Sequence, residues 1–234
     1  MRPMFAVLAT LLAFPGAASK PTTSTVTGTI IVSGSKSADP ANVAVWLSPE
    51  RGDAGTNAAP VRRFQILQKN KRFTPPILIV PIGSEVAFPN ADPFFHNVFS
   101  MFDGKRFDLG LYEAGSSRSV TFTREGVCFI FCNIHPEMNA IVIVVDTPYA
   151  TLSNAAGMFS IPDIPAGRYT LSVWHQRYAA ASAEAIPKDV VVADATVDLG
   201  VVRLVDSGKP IPQHKNKYGH DYDPPAPASP IYGK

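Results

Sequence analysis

The chain has 234 residues, of which 46% are apolar and 17% are charged, so it can build packed cores and is not a wholly disordered chain. The formal net charge is only +2, and the lysines and arginines form no basic stripe, which excludes nucleic acid as a partner. With 22 prolines and 16 glycines, the sequence favours many short strands over long helices.

The first residues are typical of an export signal. Arg2 supplies a positive charge, residues 4–14 form an apolar run, and the small residues 17–19 suit a cleavage site. We therefore expect a signal peptide over residues 1–19 and a periplasmic or otherwise exported mature protein. An uncleaved anchor is the alternative. No later run is long and apolar enough to cross a bilayer, so we expect no integral membrane segment in the mature chain.

Strand-like runs follow in chain order. Residues 25–32 and 43–47 predict two strands, interpreted as an N-terminal β-hairpin over residues 24–60 that must pack on something larger. Residues 61–147 contain a second series of short runs, and the stretch 101–115 between them is predicted to be irregular. The strands predicted in this series cover residues 64–68, 77–80, 85–88, 98–99, 118–122, 127–131 and 140–145.

The composition changes after residue 147. Runs at 149–152, 158–161, 168–175, 190–192 and 197–204 predict a small β-sandwich over residues 148–206. Residues 207–234 are rich in Pro, Lys, Asp and Gly and bury too little apolar surface to offset the entropy of ordering, so a disordered tail is predicted. The sequence leaves open whether residues 25–50 pack on the first unit or on the second.

Four potential metal ligands surround one short loop. Cys132, His135 and Met138 lie within seven residues, between two strand-like runs, and His96 ends a separate strand–loop unit upstream. Two imidazoles, one thiolate and one weak axial thioether are the donor set of a trigonal blue-copper site. The sequence therefore predicts one copper ion held by His96, Cys132, His135 and Met138, and no catalytic residue.

Cys128 raises alternatives to this assignment. A disulfide needs Cα atoms within about 7 Å, whereas four residues along a strand span roughly 13 Å, so pairing with Cys132 is disfavoured. Cys128 is interpreted as a small buried apolar residue on the same strand face as Cys132. A two-copper centre that uses both cysteines, and a zinc site, which seldom uses methionine, remain as alternatives.

The loop Cys-x-x-His-Pro-x-Met resembles that of amicyanin-like cupredoxins, and residues 83–100 (GSEVAFPNADPFFHNVFS) resemble the strand and loop that end in their first histidine ligand. The resemblance covers residues 61–147 and implies a Greek-key cupredoxin sandwich with the same four ligands. It also implies that Asn97 ties the two ligand loops by hydrogen bonds. The wider layout resembles exported methylamine-utilization-like proteins, and residues 155–175 resemble an Ig-like, carboxypeptidase regulatory-like β-sandwich.

The ligand set leaves no open position for a substrate. The predicted function is therefore transfer of single electrons between redox partner proteins, not catalysis. A copper enzyme would need more histidines, and only His175, His214 and His220 remain, two of them in the tail, where they could bind metal loosely. A periplasmic copper carrier, or a partner-docking module without redox turnover, stays open as the alternative.

Overall fold

The chain is all-β wherever its structure is described. A computed structural model describes residues 23–36, 38–50, 62–101, 105–177, 189–193, 195–206 and 214–222. Every regular element in these residues is a β-strand, which confirms the predicted fold class. Among the described residues, none belongs to a helix that could cross a membrane. The predicted signal peptide, residues 1–19, lies outside the described part.

Most of the strands fall where the apolar runs predict them. Their bounds, in chain order, are β1 (Thr23–Ser33), β2 (Ala44–Pro49), β3 (Arg63–Gln65), β4 (Leu67–Lys69), β5 (Arg72–Thr74), β6 (Ile77–Pro81), β7 (Glu85–Pro89), β8 (His96–Ser100), β9 (Phe107–Tyr112), β10 (Ser117–Thr121), β11 (Gly126–Phe131), β12 (Asn139–Val145), β13 (Ala150–Leu152), β14 (Met158–Pro165), β15 (Gly167–Trp174), β16 (Asp189–Val192) and β17 (Val197–Val205).

The central strands form the unit that carries the predicted ligands. One sheet has the order β10-β7-β3 and the other β6-β12-β11-β8-β9, with the pair β4-β5 alongside. Alternate side chains of both sheets point into one core, since a strand turns successive residues to opposite faces. This core includes Val86, Phe88, Val98, Ile130 and Val142, all fully buried. The unit is thus a two-layer sandwich.

The N-terminal strands belong to the second sandwich, which answers the question left open by the sequence. Its sheets have the orders β14-β1-β17 and β13-β2-β15-β16. The predicted N-terminal hairpin is therefore wrong: β1 and β2 lie in opposite sheets, and each pairs with strands that follow the ligand-bearing unit. Alternate residues of β1, among them Val26 and Ile30, fill the core of this sandwich. The ligand-bearing unit is consequently inserted between β2 and β13.

The two sandwiches share a third apolar cluster. Along β12, Val142 and Val144 point into the ligand-bearing core, whereas Ile141, Ile143 and Val145 point to the other face. There they pack with residues of the second sandwich, including Ala44, Trp46 and Trp174. Since both faces of β12 are buried, the strand reads as an unbroken apolar run, and it connects the ligand loop to the interface between the sandwiches.

Two stretches differ from the sequence predictions. The segment predicted as irregular contains β9, which pairs with β8 although Gly110 has a positive φ of 68°; the pairing register shifts between Asn97 and Phe99. Within the predicted disordered tail, residues 214–222 pack against the ligand loop through hydrogen bonds and ring contacts. The sequence pattern missed both, because glycines interrupt the first and the second has no apolar periodicity.

Candidate metal centre

The sheet topology brings the predicted ligands to one end of the sandwich. His96 opens β8, and Cys132 directly follows the last residue of β11. These strands are antiparallel neighbours, with Phe131 opposite Phe99. The start of β8 and the end of β11 therefore lie at the same end of the sheet. The loop from Cys132 to Met138 joins β11 to β12 at this end.

Three donor atoms converge in the buried interior. The Sγ of Cys132 lies 3.8 Å from Nδ1 of His96 and 3.8 Å from Nδ1 of His135. All three lie within 4.8 Å of one another. His96 and Cys132 are fully buried, and His135 is 7% exposed. The three donors are thus preassembled in a water-poor pocket.

The spacing of these donors fits one metal ion. A metal–sulfur bond of about 2.3 Å and a metal–nitrogen bond of about 2.0 Å, at roughly 120° to each other, separate sulfur from nitrogen by about 3.7 Å. The separation found for both histidines, 3.8 Å, is close to this value. Two imidazoles and a thiolate are the donors of a trigonal His₂Cys copper site. The residues therefore fit a copper ion in donor type and in the two sulfur–nitrogen distances.

Met138 closes the ligand loop. Its backbone N–H donates to the carbonyl of His135 at 3.0 Å, and its carbonyl accepts from the N–H of Cys132 at 3.3 Å. The side chain is fully buried and belongs to the same core cluster as Cys132. The loop is consequently folded into a tight turn, which brings the thioether-bearing residue back beside the cysteine.

Backbone donors surround the cysteine sulfur. Burial raises the pKa of the Cys132 thiol, while N–H groups of Asn97, Ile134 and His135 directed at the sulfur oppose the rise. Hydrogen bonds of this kind favour the thiolate. Burial also lowers the pKa of His135, and the neighbouring His96 lowers it further. The imidazole of His135 is therefore neutral near pH 7, as a metal ligand must be.

Asn97 connects the two ligand-bearing segments through its backbone. Its N–H is directed at the sulfur of Cys132. Its side-chain Nδ2 instead donates to Oδ1 of Asp108 at 2.7 Å, on the neighbouring strand β9. The hydrogen bond from Asn97 to the cysteine loop is therefore made by its backbone, while its side chain bonds Asp108.

Asp92 supports His96 and was not identified from the sequence. Its Oδ2 lies 2.8 Å from Nε2 of His96. Burial alone would raise the pKa of Asp92, but hydrogen bonds from His96 and from the backbone N–H groups of Lys71 and Asn70 outweigh it and hold the pKa low. The ionised carboxylate can only accept, so Nε2 carries the proton and Nδ1 keeps its lone pair for a metal.

Cys128 is separate from the three-donor group. It is a free cysteine, fully buried among the apolar side chains of the core, and burial raises its pKa. This matches its interpretation as a small apolar residue. Among the described residues, the group able to hold a metal contains Cys132 but not Cys128. The geometry thus gives the two-copper alternative no support.

Aromatic side chains pack around the histidines. The ring of Phe94 lies 5.2 Å from that of His96 and 5.6 Å from that of His135, centroid to centroid. Ile134 packs against the core, while Phe95 is 55% exposed. Phe94 and Ile134 therefore exclude water beside the donors, and Phe95 presents an apolar ring at the surface next to His96.

Comparisons with known proteins find similar structures but no sequence family. No family model and no curated protein matches the chain. Part of the chain is similar to cupredoxins of known structure. A purple cupredoxin from Nitrosopumilus maritimus is 26% identical, over 35% of this chain and 99% of its own, with a TM-score of 0.32. A copper(I) form of an amicyanin mutant is 20% identical, over 43% of this chain and 98% of its own, with a TM-score of 0.34.

A copper-containing nitrite reductase from Thermus scotoductus SA-01 is also similar. It is 25% identical, over 43% of this chain and 26% of its own, with a TM-score of 0.34. TM-scores of this size do not establish a shared function.

Proposed function

We propose that the chain binds one copper ion through His96, Cys132, His135 and Met138 and passes single electrons between redox partner proteins. The observation that supports this most directly is the position of the Cys132 sulfur, 3.8 Å from one nitrogen of each histidine. Thiolate and thioether donors favour Cu(I), whereas imidazole accommodates Cu(II). Copper bound there would supply a one-electron couple.

The protein contributes a fixed and dry environment for that couple. His96, Cys132 and Met138 are fully buried, and the loop that carries three of the four proposed ligands is closed by backbone hydrogen bonds. Donors that are held in place before and after electron transfer reorganise little. A low reorganisation cost favours fast electron transfer over substrate chemistry.

The same burial argues against the carrier alternative. A carrier must release its ion to an acceptor, and release here would require the Cys132 loop to open. Electron transfer requires only that a partner approach the nearly buried edge of His135. We therefore propose the redox role over transport. Export of the chain stays a prediction from residues 1–19.

Absorption and electron paramagnetic resonance spectra of the copper-loaded full chain test the proposal. We expect one copper per chain, an intense visible thiolate-to-copper band, and a reversible one-electron couple. Cys132→Ser should abolish the band, because a hydroxyl cannot replace the thiolate donor. Cys128→Ala is the matched control and should keep the band. A band that survives in Cys132→Ser, or a preference for zinc with no redox couple, would refute the proposal.

Rapid copper loss from the loaded protein to a moderate chelator, without a reversible couple, would instead support the carrier function.

A further inference from the structure

A short C-terminal segment, residues 214–222, lies against the ligand loop. The ring of His214 stacks on that of Phe131, with centroids 3.7 Å apart and planes 21° apart. Its Nε2 lies 2.9 Å from the carbonyl oxygen of Pro136. Phe131 directly precedes Cys132, and Pro136 directly follows His135. His214 therefore contacts the loop on both sides of the proposed cysteine and histidine ligands.

Tyr222, at the other end of the C-terminal segment, contacts the cysteine itself. Its hydroxyl donates to the backbone carbonyl of Cys132 at 2.9 Å, and it lies 3.2 Å from Nδ1 of His214. The N–H of Cys132 is already engaged by Met138. The backbone N–H and the backbone carbonyl of Cys132 are therefore both hydrogen-bonded, and the partner of the carbonyl belongs to the C-terminal segment.

Lys217, in the middle of the segment, bridges the two ligand-bearing parts of the fold. Its backbone N–H donates to Oδ1 of Asn133 at 2.9 Å, and its Nζ donates to Oδ2 of Asp108 at 2.8 Å. Asp108 in turn accepts a hydrogen bond from the side-chain Nδ2 of Asn97, the residue after His96. A continuous chain of hydrogen bonds therefore runs from the residue beside His96 to the residue beside Cys132.

We propose that the C-terminal segment is an intramolecular strap that fixes the Cys132–Met138 loop relative to the strand that carries His96, with Lys217 and Tyr222 as its positioning residues. Asn97 bonds Asp108, and Lys217 bonds both Asp108 and Asn133, so the segment links the two ligand-bearing parts. Held in this way, the donors keep their spacing without help from a bound ion. The strap orders the loop whether or not the protein binds copper. The effect of the strap on copper release rests on the proposed function.

The test uses full-length variants with a matched control inside the same segment. Lys217→Ala and Tyr222→Phe each remove one attachment. Lys215→Ala makes the same chemical change as Lys217→Ala at an exposed position of the same segment. Lys217→Arg keeps a cationic donor and serves as the conservative variant. Hydrogen exchange of the metal-free protein is followed at the amides of Cys132 and Met138, which close the ligand loop.

We expect both test variants to speed exchange at these two amides, while the control and Lys217→Arg remain close to the original chain. In the copper-loaded protein, the test variants should release copper to a chelator about 10-fold faster or more, by analogy with the loss of outer partners of metal ligands, and should show an altered paramagnetic resonance spectrum.

The two proposals fail in different ways. If the test variants exchange and release copper like the control, the strap proposal is overturned, whatever the colour of the protein. If the original chain shows no blue copper but the test variants still speed exchange at Cys132 and Met138, the strap stands and the copper function fails. Should Lys217→Ala not fold, Tyr222→Phe, which changes one hydroxyl, carries the same comparison.

Discussion

The carboxylate of Asp92 and the imidazole of His96 form a buried pair, with Oδ2 of one 2.8 Å from Nε2 of the other. The other ring nitrogen of His96 faces the sulfur of Cys132. Asp92 thus contacts the ring nitrogen opposite the one that faces the sulfur, and its negative charge increases the donor strength of Nδ1. This relationship predicts that Asp92 would tune a copper ion bound at His96 without contacting the ion.

Asp92→Asn tests that prediction. Asparagine has one acceptor oxygen, whereas Asp92 accepts from His96 and from the backbone N–H groups of Asn70 and Lys71. We expect copper affinity to fall about 10–100-fold, and the reduction potential to rise because Cu(II) loses more stabilisation than Cu(I). Chelator competition and a redox titration measure the two effects. The exposed Asp189→Asn is the control, and an unchanged affinity and potential in Asp92→Asn would contradict the role.

The pKa of Cys132 predicts proton release when the metal binds. Burial raises the pKa of this thiol above its ordinary 9.0, so it is protonated near pH 7, whereas the lowered pKa of His135 leaves that ring neutral. A metal binds the thiolate, so Cu(I) uptake should release about one proton per chain and weaken as pH falls. Calorimetry in two buffers of different ionisation enthalpy counts the proton. The same release from Cys132→Ser would disprove its origin in the thiol.

The grouping of three candidate donors could be predicted from sequence, because donor type and spacing along a short loop are local properties; that they bind copper with Met138 stays a proposal. His96, Cys132 and His135 meet in the structure as the pattern indicates. Strand partners are not local: Val26 of β1 pairs with Val197, far along the chain, and no periodicity reveals this. The alternation of apolar and polar residues indicated β1 and its buried face, but not the strands with which β1 pairs.

The supporting residues escaped prediction for a different reason. Asp92 contacts His96 only because the short loop between them turns back, and a carboxylate in a loop is ordinarily solvated. Tyr222 and Lys217 lie in a polar, proline-rich tail whose composition predicts disorder. Each contributes one or two specific hydrogen bonds, which leave no trace in composition or periodicity.

The ion pair between Asp108 and Lys217 predicts how the C-terminal segment responds to pH. Burial would raise the pKa of Asp108, but hydrogen bonds from Lys217, Gly110 and Asn97 lower it below its ordinary 3.8. The same contact with Asp108 raises the pKa of Lys217 above 10.5. The stabilisation from the Asp108 carboxylate is therefore present above pH 3.8 and is lost as the pH falls through the lowered pKa of Asp108. The stabilisation from the Lys217 ammonium is present below pH 10.5 and is lost as the pH rises through the raised pKa of Lys217.

Carboxyl titration by nuclear magnetic resonance tests this contact in the metal-free protein. In Lys217→Ala, the titration midpoint of Asp108 should move up towards 3.8, because its ion-pair partner is gone. Lys215→Ala, an exposed lysine of the same segment, should leave the midpoint unchanged. An unshifted midpoint in Lys217→Ala would show that the segment does not hold Asp108 in solution.

Ile143 predicts that the two sandwiches stabilise one another. It is 1% exposed and lies on the face of β12 that packs with Ala44 and Trp46 of the second sandwich. Ile143→Ala should lower the free energy of unfolding by about 2–5 kcal/mol, from lost burial and the cavity left behind. Urea titration measures the loss. Val191→Ala, at a 63% exposed position, should stay within about 0.5 kcal/mol of the original.

The copper spectrum of Ile143→Ala separates stability from the metal centre. Ile143 points away from the core that contains Cys132 and Met138, because it alternates with Val142 and Val144 along the strand. The folded variant should therefore bind copper with unchanged band position and intensity. A shifted band would mean that packing between the sandwiches reaches the ligand loop through β12, and that the second sandwich sets the geometry of the centre.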